Sequence, residues 1–172
     1  MIVHVQTKEP QLRPFSEADR PMLGKLLTDD RIKKTYMLPD LPSEEAVDHL
    51  IDRFVNLSRQ EAHYVAGIFQ GDTLVGFLND VENDGRRIEL GYVIDPAYQG
   101  RGYATQALTG VIRDLFGRGY QEVVAGAFEE NKASQRVMEK AGMVKIEKTE
   151  QIEYRGKIHN CVYYEIRNRK GD

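Results

Sequence analysis

The sequence predicts an α/β (α+β) fold: one mixed, largely antiparallel sheet of about seven strands, flanked by about four helices. Three observations point there. Strand-like runs broken by tight turn signals fill residues 63–94 and 143–167. Apolar stripes at helical spacing, each opened by a capping residue or stopped by glycine, mark the intervening segments. A strand–helix–strand unit over residues 86–128 calls for a crossover, right-handed if its strands are parallel neighbours. The tight turns elsewhere call for antiparallel pairs.

Taken in order, residues 2–13 read as a first strand. Ser16 caps a helix whose apolar set is Ala18, Met22, Leu23, Leu26 and Leu27, and Pro21 lies early enough in it to be tolerated. Residues 29–42, with Pro39 and Pro42, are irregular. Ser43 caps a second helix, with Glu44 and Glu45 in its positive first turn and a stripe of Val47, Leu50, Ile51, Phe54 and Val55. Residues 63–70 and 73–81 form a hairpin about Gly71 and Asp72. Asn83, Asp84 and Gly85 turn the chain into a strand at 86–94. The third helix, residues 102–117, has the cleanest stripe: Ala104, Ala107, Leu108, Val111, Ile112, Leu115 and Phe116. Gly117 and Gly119 stop it. A strand at 121–128, a short helix at 131–141 ended by Gly142, and two strands about Arg155 and Gly156 complete the chain.

Composition narrows the function. A chain of 172 residues fits one domain, residues 1–172, with a real core. A net charge of −3 and a pI near 5.9 give no general attraction to nucleic acid. The one cysteine, Cys161, excludes an intramolecular disulfide and suits a reducing compartment. No apolar run reaches the roughly 18 residues of a membrane span. Residues 1–8 lack the long apolar core of a signal peptide, so a cytoplasmic protein is expected. His4, His49, His63 and His159 have no metal-ligand spacing, and no metal is expected. Cys161 lies in a Val/Tyr-rich strand and reads as packing, while Tyr163 and Tyr164 should alternate across that strand.

Residues 93–104 are the most informative. A strand ends, Pro96 turns the chain, and a glycine-rich stretch opens an amphipathic helix. The first N–H groups of a helix are unpaired and its dipole is positive there, which suits a diphosphate. Gly100 and Gly102 would let a ligand approach the backbone. On spacing alone, a plain strand-to-helix turn explains the segment equally well.

Gln99-x-x-Gly102-x-Ala104 resembles the Gln/Arg-x-x-Gly-x-Gly/Ala signature of the GNAT superfamily of acyl-CoA N-acyltransferases. The preceding strand, Glu89 to Pro96, is similar to that family's fourth strand, and Asn131 to Ser134 with Glu139 to Met143 resemble its second acyl-CoA segment. The branch most resembled includes ribosomal-protein alanine N-acetyltransferases. The resemblance implies the acyl-CoA N-acyltransferase fold and acetyl transfer from acetyl-CoA to a primary amine, by direct attack in a ternary complex. It implies that the backbone amides of Gln99, Gly100, Arg101, Gly102, Tyr103 and Ala104 hold the pyrophosphate. The edge at Tyr92, Val93 and Ile94 would pair with the pantetheine arm, in a gap between that strand and the one at 121–128. The N–H of Val93 or Ile94 would polarise the thioester carbonyl. Asn131 and Ser134 would touch the pantetheine near the thioester. Asn131 reads as well as a helix cap, Tyr92 and Tyr98 as packing, and Arg101 as a phosphate contact or a solvated residue.

Glu89 is the candidate base for deprotonating the amine. The family's usual acid, a Tyr seven residues after the Asn, is Met138 here. Ser134, or a water it holds, is the candidate substitute. The resemblance puts the acceptor between residues 31–42 and 152–160, where Tyr36, Met37 and Leu38 offer apolar contact and Asp40 and Glu153 could attract a cation. The acceptor would be a protein N-terminus or a small-molecule amine, and apolar area on the final strands could support a homodimer. The alternative is a non-catalytic acyl-CoA-binding module. A Walker-type nucleotide site is disfavoured because residues 99–105 contain no lysine or metal-binding carboxylate.

Overall fold

The structure, a computed structural model, describes residues 1–169. The chain begins with two short strands, β1 (Val5–Gln6) and β2 (Gln11–Arg13), rather than one. Between them the Thr7 hydroxyl and amide donate to the Pro10 carbonyl at 2.7 and 3.3 Å, reversing the chain. After a 3-10 turn at Glu17–Asp19, in which Asp19 accepts from the Ser16 amide and hydroxyl, come α1 (Arg20–Thr28) and α2 (Asp30–Lys33). Helix α2 lies within the segment the sequence presents as irregular. Asp29 caps it by accepting from the Arg31 amide at 2.8 Å, but four residues are too few to show a periodic stripe. Helix α3 (Glu44–Leu57) starts at its Ser43 cap.

The hairpin β3 (Val65–Gln70) and β4 (Thr73–Asn83) is followed by β5 (Arg87–Ile94), α4 (Tyr103–Gly117), β6 (Glu122–Phe128), α5 (Lys132–Lys140), β7 (Val144–Tyr154) and β8 (Lys157–Arg167). Among the described residues the sheet has eight strands in the order β1-β2-β3-β4-β5-β6-β8-β7. The pair β5–β6 is parallel and its other neighbours are antiparallel. The extra strand and the extra helix relative to the sequence reading are the divided N-terminal strand and α2.

Strand alternation sends side chains to two apolar layers. Leu78, Ile88, Leu90, Val123 and Tyr164 meet the α4 stripe of Ala107, Leu108, Val111, Ile112 and Leu115 on one face. Val65, Phe69, Phe77 and Val93 meet Leu23, Leu26 and Leu27 of α1 and Ile51 and Val55 of α3 on the other. Tyr163 joins Val124, Phe128 and Cys161 on that second face, so the adjacent tyrosines do alternate. Each buried Val, Leu, Ile or Phe among them contributes roughly 1.5–3 kcal/mol of transfer free energy.

One irregularity creates the cleft. Pairing between β5 and β6 runs from Arg87↔Glu122 to Leu90↔Ala125 and stops, although β5 continues to Ile94 and β6 to Phe128. At that level the β4 register shifts between Asp80 and Glu82, opposite Leu90 and Glu89. A bulge there bends and twists the neighbouring strand, and β5 parts from β6 at the same height.

Candidate active site

The gap between the ends of β5 and β6 opens into a cleft of about 610 Å³, lined on one flank by Gly91, Tyr92, Val93 and Ile94 and on the other by Gly126, Ala127 and α5. Backbone alternation decides which β5 groups face it. The Asp95 amide donates to the Val75 carbonyl at 2.8 Å, and Val93 pairs with Phe77, so odd-numbered groups point to β4. The Gln121 amide donates to the Arg86 carbonyl at 2.8 Å, so even-numbered groups point toward β6. The N–H groups of Tyr92 and Ile94 therefore face the gap, and that of Val93 does not. Of the two oxyanion candidates the sequence offers, Ile94 has the right direction. The Gln99 side chain donates to the Ile94 carbonyl at 3.1 Å, which ties the signature loop to the end of β5.

The loop after β5 is built from local rules. Asp95 accepts from the Ala97 amide at 2.9 Å and Pro96 takes the first position of a 3-10 turn at Pro96–Tyr98. Gly100 and Gly102 then adopt left-handed φ values of 77° and 80°, a region costly for other residues. Gly102 is the N-cap of α4 and has no side chain to satisfy the helix amides. A Cβ at Gly100 would meet no atom within 4 Å, and one at Gly102 only the Gln106 amide nitrogen at 3.8 Å. The amides from Gln99 to Ala104 thus edge an open concavity that fits a diphosphate. Tyr103 turns its ring into the core, leaving its backbone at the surface of the loop. The exposed Arg101 guanidinium sits 5.1 Å over the Tyr98 ring, which lines the cleft.

Across the gap, Asn131 caps α5 by accepting from the Ser134 amide at 3.2 Å. It serves as a cap and lines the cleft as well. Ser134 also lines the cleft, and its hydroxyl lies 2.8 Å from the Tyr92 hydroxyl, which has the Ser134 carbonyl at 3.1 Å as a second partner. Met138 is fully buried in the core under α4. A side chain there faces packing, so the missing Tyr leaves no hole at the cleft.

Glu89 does not line the cleft. It is 9% exposed and sits in the paired part of β5, opposite Val124. It shares a face with Gly91, about 7 Å farther along the strand. Burial raises the Glu89 carboxyl above the ordinary carboxylate range, Glu82 and Glu150 adding to the rise while Lys148 and Arg87 oppose it. Beyond Glu89 that face holds two tyrosines packed close against glycines. A Cβ at Gly91 would lie 2.7 Å from the Tyr36 hydroxyl oxygen, and one at Gly126 would lie 2.8 Å from the Tyr163 ring. Tyr36 donates to Asn79, and burial pushes its hydroxyl far up; Tyr163 donates to Glu150 at 2.7 Å.

The same cleft ends at Arg31, Ile32, Thr35 and Tyr36 of α2 and the loop after it. The β7–β8 hairpin reaches this loop through Tyr154. Its hydroxyl has the Tyr36 and Leu38 carbonyls at 3.2 Å and the Leu38 amide at 3.3 Å. The two segments expected to shape the acceptor end are therefore joined. Asp40 has its charge answered by Lys33 at 3.1 Å and Arg155 at 3.4 Å, so it is not the free attractor that the sequence presents. Glu153 is exposed.

Gly126 and Arg136, outside every motif or acceptor segment singled out from the sequence, also line the cleft, as do Thr35 and Lys140, which lie in such segments but were not named singly. Arg136 and Lys140 had a signal, since Ala133, Val137 and Lys140 with Arg136 follow helical spacing along the face of α5 that holds Ser134. Gly126 had none, because its role depends on Tyr163 of another strand. Among the described residues, no group of three or more His, Cys, Asp or Glu is placed to hold a metal ion, and no helix is long and apolar enough to cross a membrane.

This geometry meets known proteins at several points. The sequence profile of the acetyltransferase (GNAT) domain matches residues 11–144. The uncharacterized N-acetyltransferase YoaA of Bacillus subtilis (strain 168) is 27% identical over 146 residues, covering 82% of each chain. Among solved structures, the RimL ribosomal L7/L12 alpha-N-protein acetyltransferase in complex with coenzyme A superposes with a TM-score of 0.83 at 22% identity, over 97% of this chain and 98% of that one. A GNAT-family acetyltransferase from Bacillus anthracis gives 0.81 at 22% identity, over 96% and 98%. At these identities the solved structures speak to the fold.

Proposed function

Because the chain belongs to the GNAT acetyltransferase family, and is thus an acyl-CoA-dependent N-acyltransferase, we propose that its β5–β6 cleft moves an acetyl group from acetyl-CoA to the N-terminal amine of a protein, by direct attack in a ternary complex. One observation carries this reading: the strand gap, the two left-handed glycines and the first turn of α5 all border one cleft, which continues to α2. Residues 1–172 act as one transferase domain in this reading. We place the protein in the cytoplasm on its composition.

Acetyl-CoA would supply an activated acyl group. The amides of Gln99, Gly100, Arg101, Gly102, Tyr103 and Ala104 hold the pyrophosphate. Arg101, Arg136 and Lys140 add positive charge at the cleft mouth. Tyr92 and Ile94 offer backbone N–H groups along the pantetheine arm, and the Ile94 N–H stabilises charge on the carbonyl oxygen. Glu89, raised by burial, takes the amine proton through a water. Ser134 donates a hydrogen bond to the departing sulfur, and Asn131 holds Ser134 in place. An α-amine, with an ordinary pKa of about 8, asks less of a base set back from the cleft than a lysine amine at about 10.4. The α-N-protein activity of the RimL relative supports the same class of acceptor.

Calorimetry with acetyl-CoA, followed by thiol release on adding N-terminal peptides, blocked peptides bearing lysine, and polyamines, tests the proposal. Binding with release from free N-terminal peptides is expected. Release only from lysine or polyamines would move the acceptor to another class, and absence of binding would overturn the cleft assignment.

A further inference from the structure

We propose that Tyr92 is a positioning residue which aims the Ser134 hydroxyl at the sulfur of bound CoA, so that the two side chains act as one hydrogen-bond relay on the leaving thiolate. The inference rests on the cleft assignment above and deepens it.

A phenol and an alcohol have one O–H each. The Tyr92 O–H has two acceptors in reach, the Ser134 oxygen Oγ at 2.8 Å and the Ser134 carbonyl at 3.1 Å. With the Tyr92 proton on the carbonyl, Ser134 donates to Tyr92. With the Tyr92 proton on Oγ, the Ser134 proton is free to turn toward the cleft, which both residues line. Rotation of two hydroxyls interconverts these arrangements without moving a heavy atom. Donation from Tyr92 also polarises the Ser134 O–H and makes it a better donor.

The placement is specific. Tyr92 springs from β5 and Ser134 from the first turn of α5, so the bond spans the gap where β5 and β6 no longer pair. Asn131 fixes the Ser134 amide from the other side at 3.2 Å. Burial pushes the Tyr92 hydroxyl up to about 12, the Ser134 bond opposing this in part. The phenol therefore stays protonated, and available as a donor, throughout the titration range of a thiol near 8.5. The chemistry balances without net proton loss from the pair. The amine nitrogen bonds to the acyl carbon, the acyl carbon–sulfur bond breaks with its electrons remaining on sulfur, the amine proton leaves through the base, and the thiolate takes its proton from solvent after release.

The test reads the sulfur directly and needs no acceptor. The thiol of CoA bound to the parent protein is titrated by ultraviolet difference absorbance against desulfo-CoA, and Tyr92→Phe, Ser134→Ala and the double variant are compared. Arg136 and Lys140 also line the cleft and lower the bound thiol in every variant, so only differences from the parent count. Loss of one hydrogen bond should raise the bound thiol by about 0.5–1 pH unit in Tyr92→Phe and in Ser134→Ala. The double variant should move no farther than Ser134→Ala. In turnover, Tyr92→Phe should lower kcat by about threefold to tenfold with the KM for acetyl-CoA unchanged.

An unchanged bound-thiol titration in Tyr92→Phe, with calorimetric CoA affinity equal to the parent's, would overturn the relay. So would additive shifts in the double variant. If Tyr92→Phe loses CoA affinity, Ser134→Ala decides alone: a thiol titrating as in the parent overturns the proposal. Failure of the parent to bind CoA at all sinks the cleft assignment first, and calorimetry separates that result from the others.

Discussion

The two ends of the cleft are made in different ways. The end bordered by the α4 loop is almost all backbone: two left-handed glycines, a helix start without a capping side chain, and strand amides turned into a gap. The end bordered by α2 is held in place by side chains of the β7–β8 hairpin. There Tyr154 binds backbone groups of Tyr36 and Leu38, more than 110 residues away, and Arg155 pairs with Asp30 and Asp40. A backbone cradle suits a ligand part that is chemically constant, such as a diphosphate. A side-chain clasp can be changed residue by residue, which suits the part of the site that must select an acceptor.

The largest effect should come from breaking the backbone end. Gly102→Val forces a β-branched residue into left-handed backbone and fills the concavity, and acetyl-CoA affinity should fall by about 100-fold or more by calorimetry with the fold retained. Retained affinity would mean that the diphosphate lies elsewhere. Glu89 lies back from the cleft, and Glu89→Gln should lower kcat about 100-fold at neutral pH. Because its folded pKa is raised, the acid limb of the parent's pH–rate profile should sit above the ordinary carboxylate range and vanish in the variant. The stability sign follows from the same shift. A raised carboxylate contributes stability below its unfolded pKa and loses it as pH rises through the folded one. Glu89→Gln should therefore melt higher than the parent at pH 8, with the difference shrinking toward pH 4; a lower melting temperature at pH 8 would contradict the burial argument.

Loosening the side-chain end should be milder and should sharpen the contrast. Tyr154→Phe removes the hydroxyl clasp, and the KM for the acceptor should rise about threefold to tenfold while acetyl-CoA affinity holds. Equal losses for both substrates would show that the ends are not separable. The smallest effect is expected at the mouth. Arg136→Ala should weaken acetyl-CoA binding by about twofold to fivefold at low ionic strength, and the difference should fade as salt is added.

Legibility in the sequence tracks this contrast. The glycine loop could be read because its parts are contiguous: Gln99, Gly100 and Gly102 lie within a few residues, and their conformations follow from glycine and from helix starts. The hairpin at Gly71 and the α3 cap at Ser43 were legible for the same local reason. The division of residues 2–13 into β1 and β2 was not, because the turn between them depends on Thr7 folding back on Pro10. The acceptor segments were named only through the family resemblance, and Asp40 was misjudged because its partners Lys33 and Arg155 meet it only in the fold. Met138 could be seen as a departure from the family pattern, whereas its burial under α4 could not.

By itself, the sequence determined most of the elements, their order, the glycine-rich loop and the family, because these depend on near neighbours, on periodicity and on a contiguous motif. Tertiary structure alone decided which amide of β5 faces the gap, that Glu89 lies back from the cleft, and that Tyr92 meets Ser134 across it. Those outcomes depend on where two strands part and which helix crosses the opening, and no local pattern specifies a distance between residues that meet only after the sheet has formed.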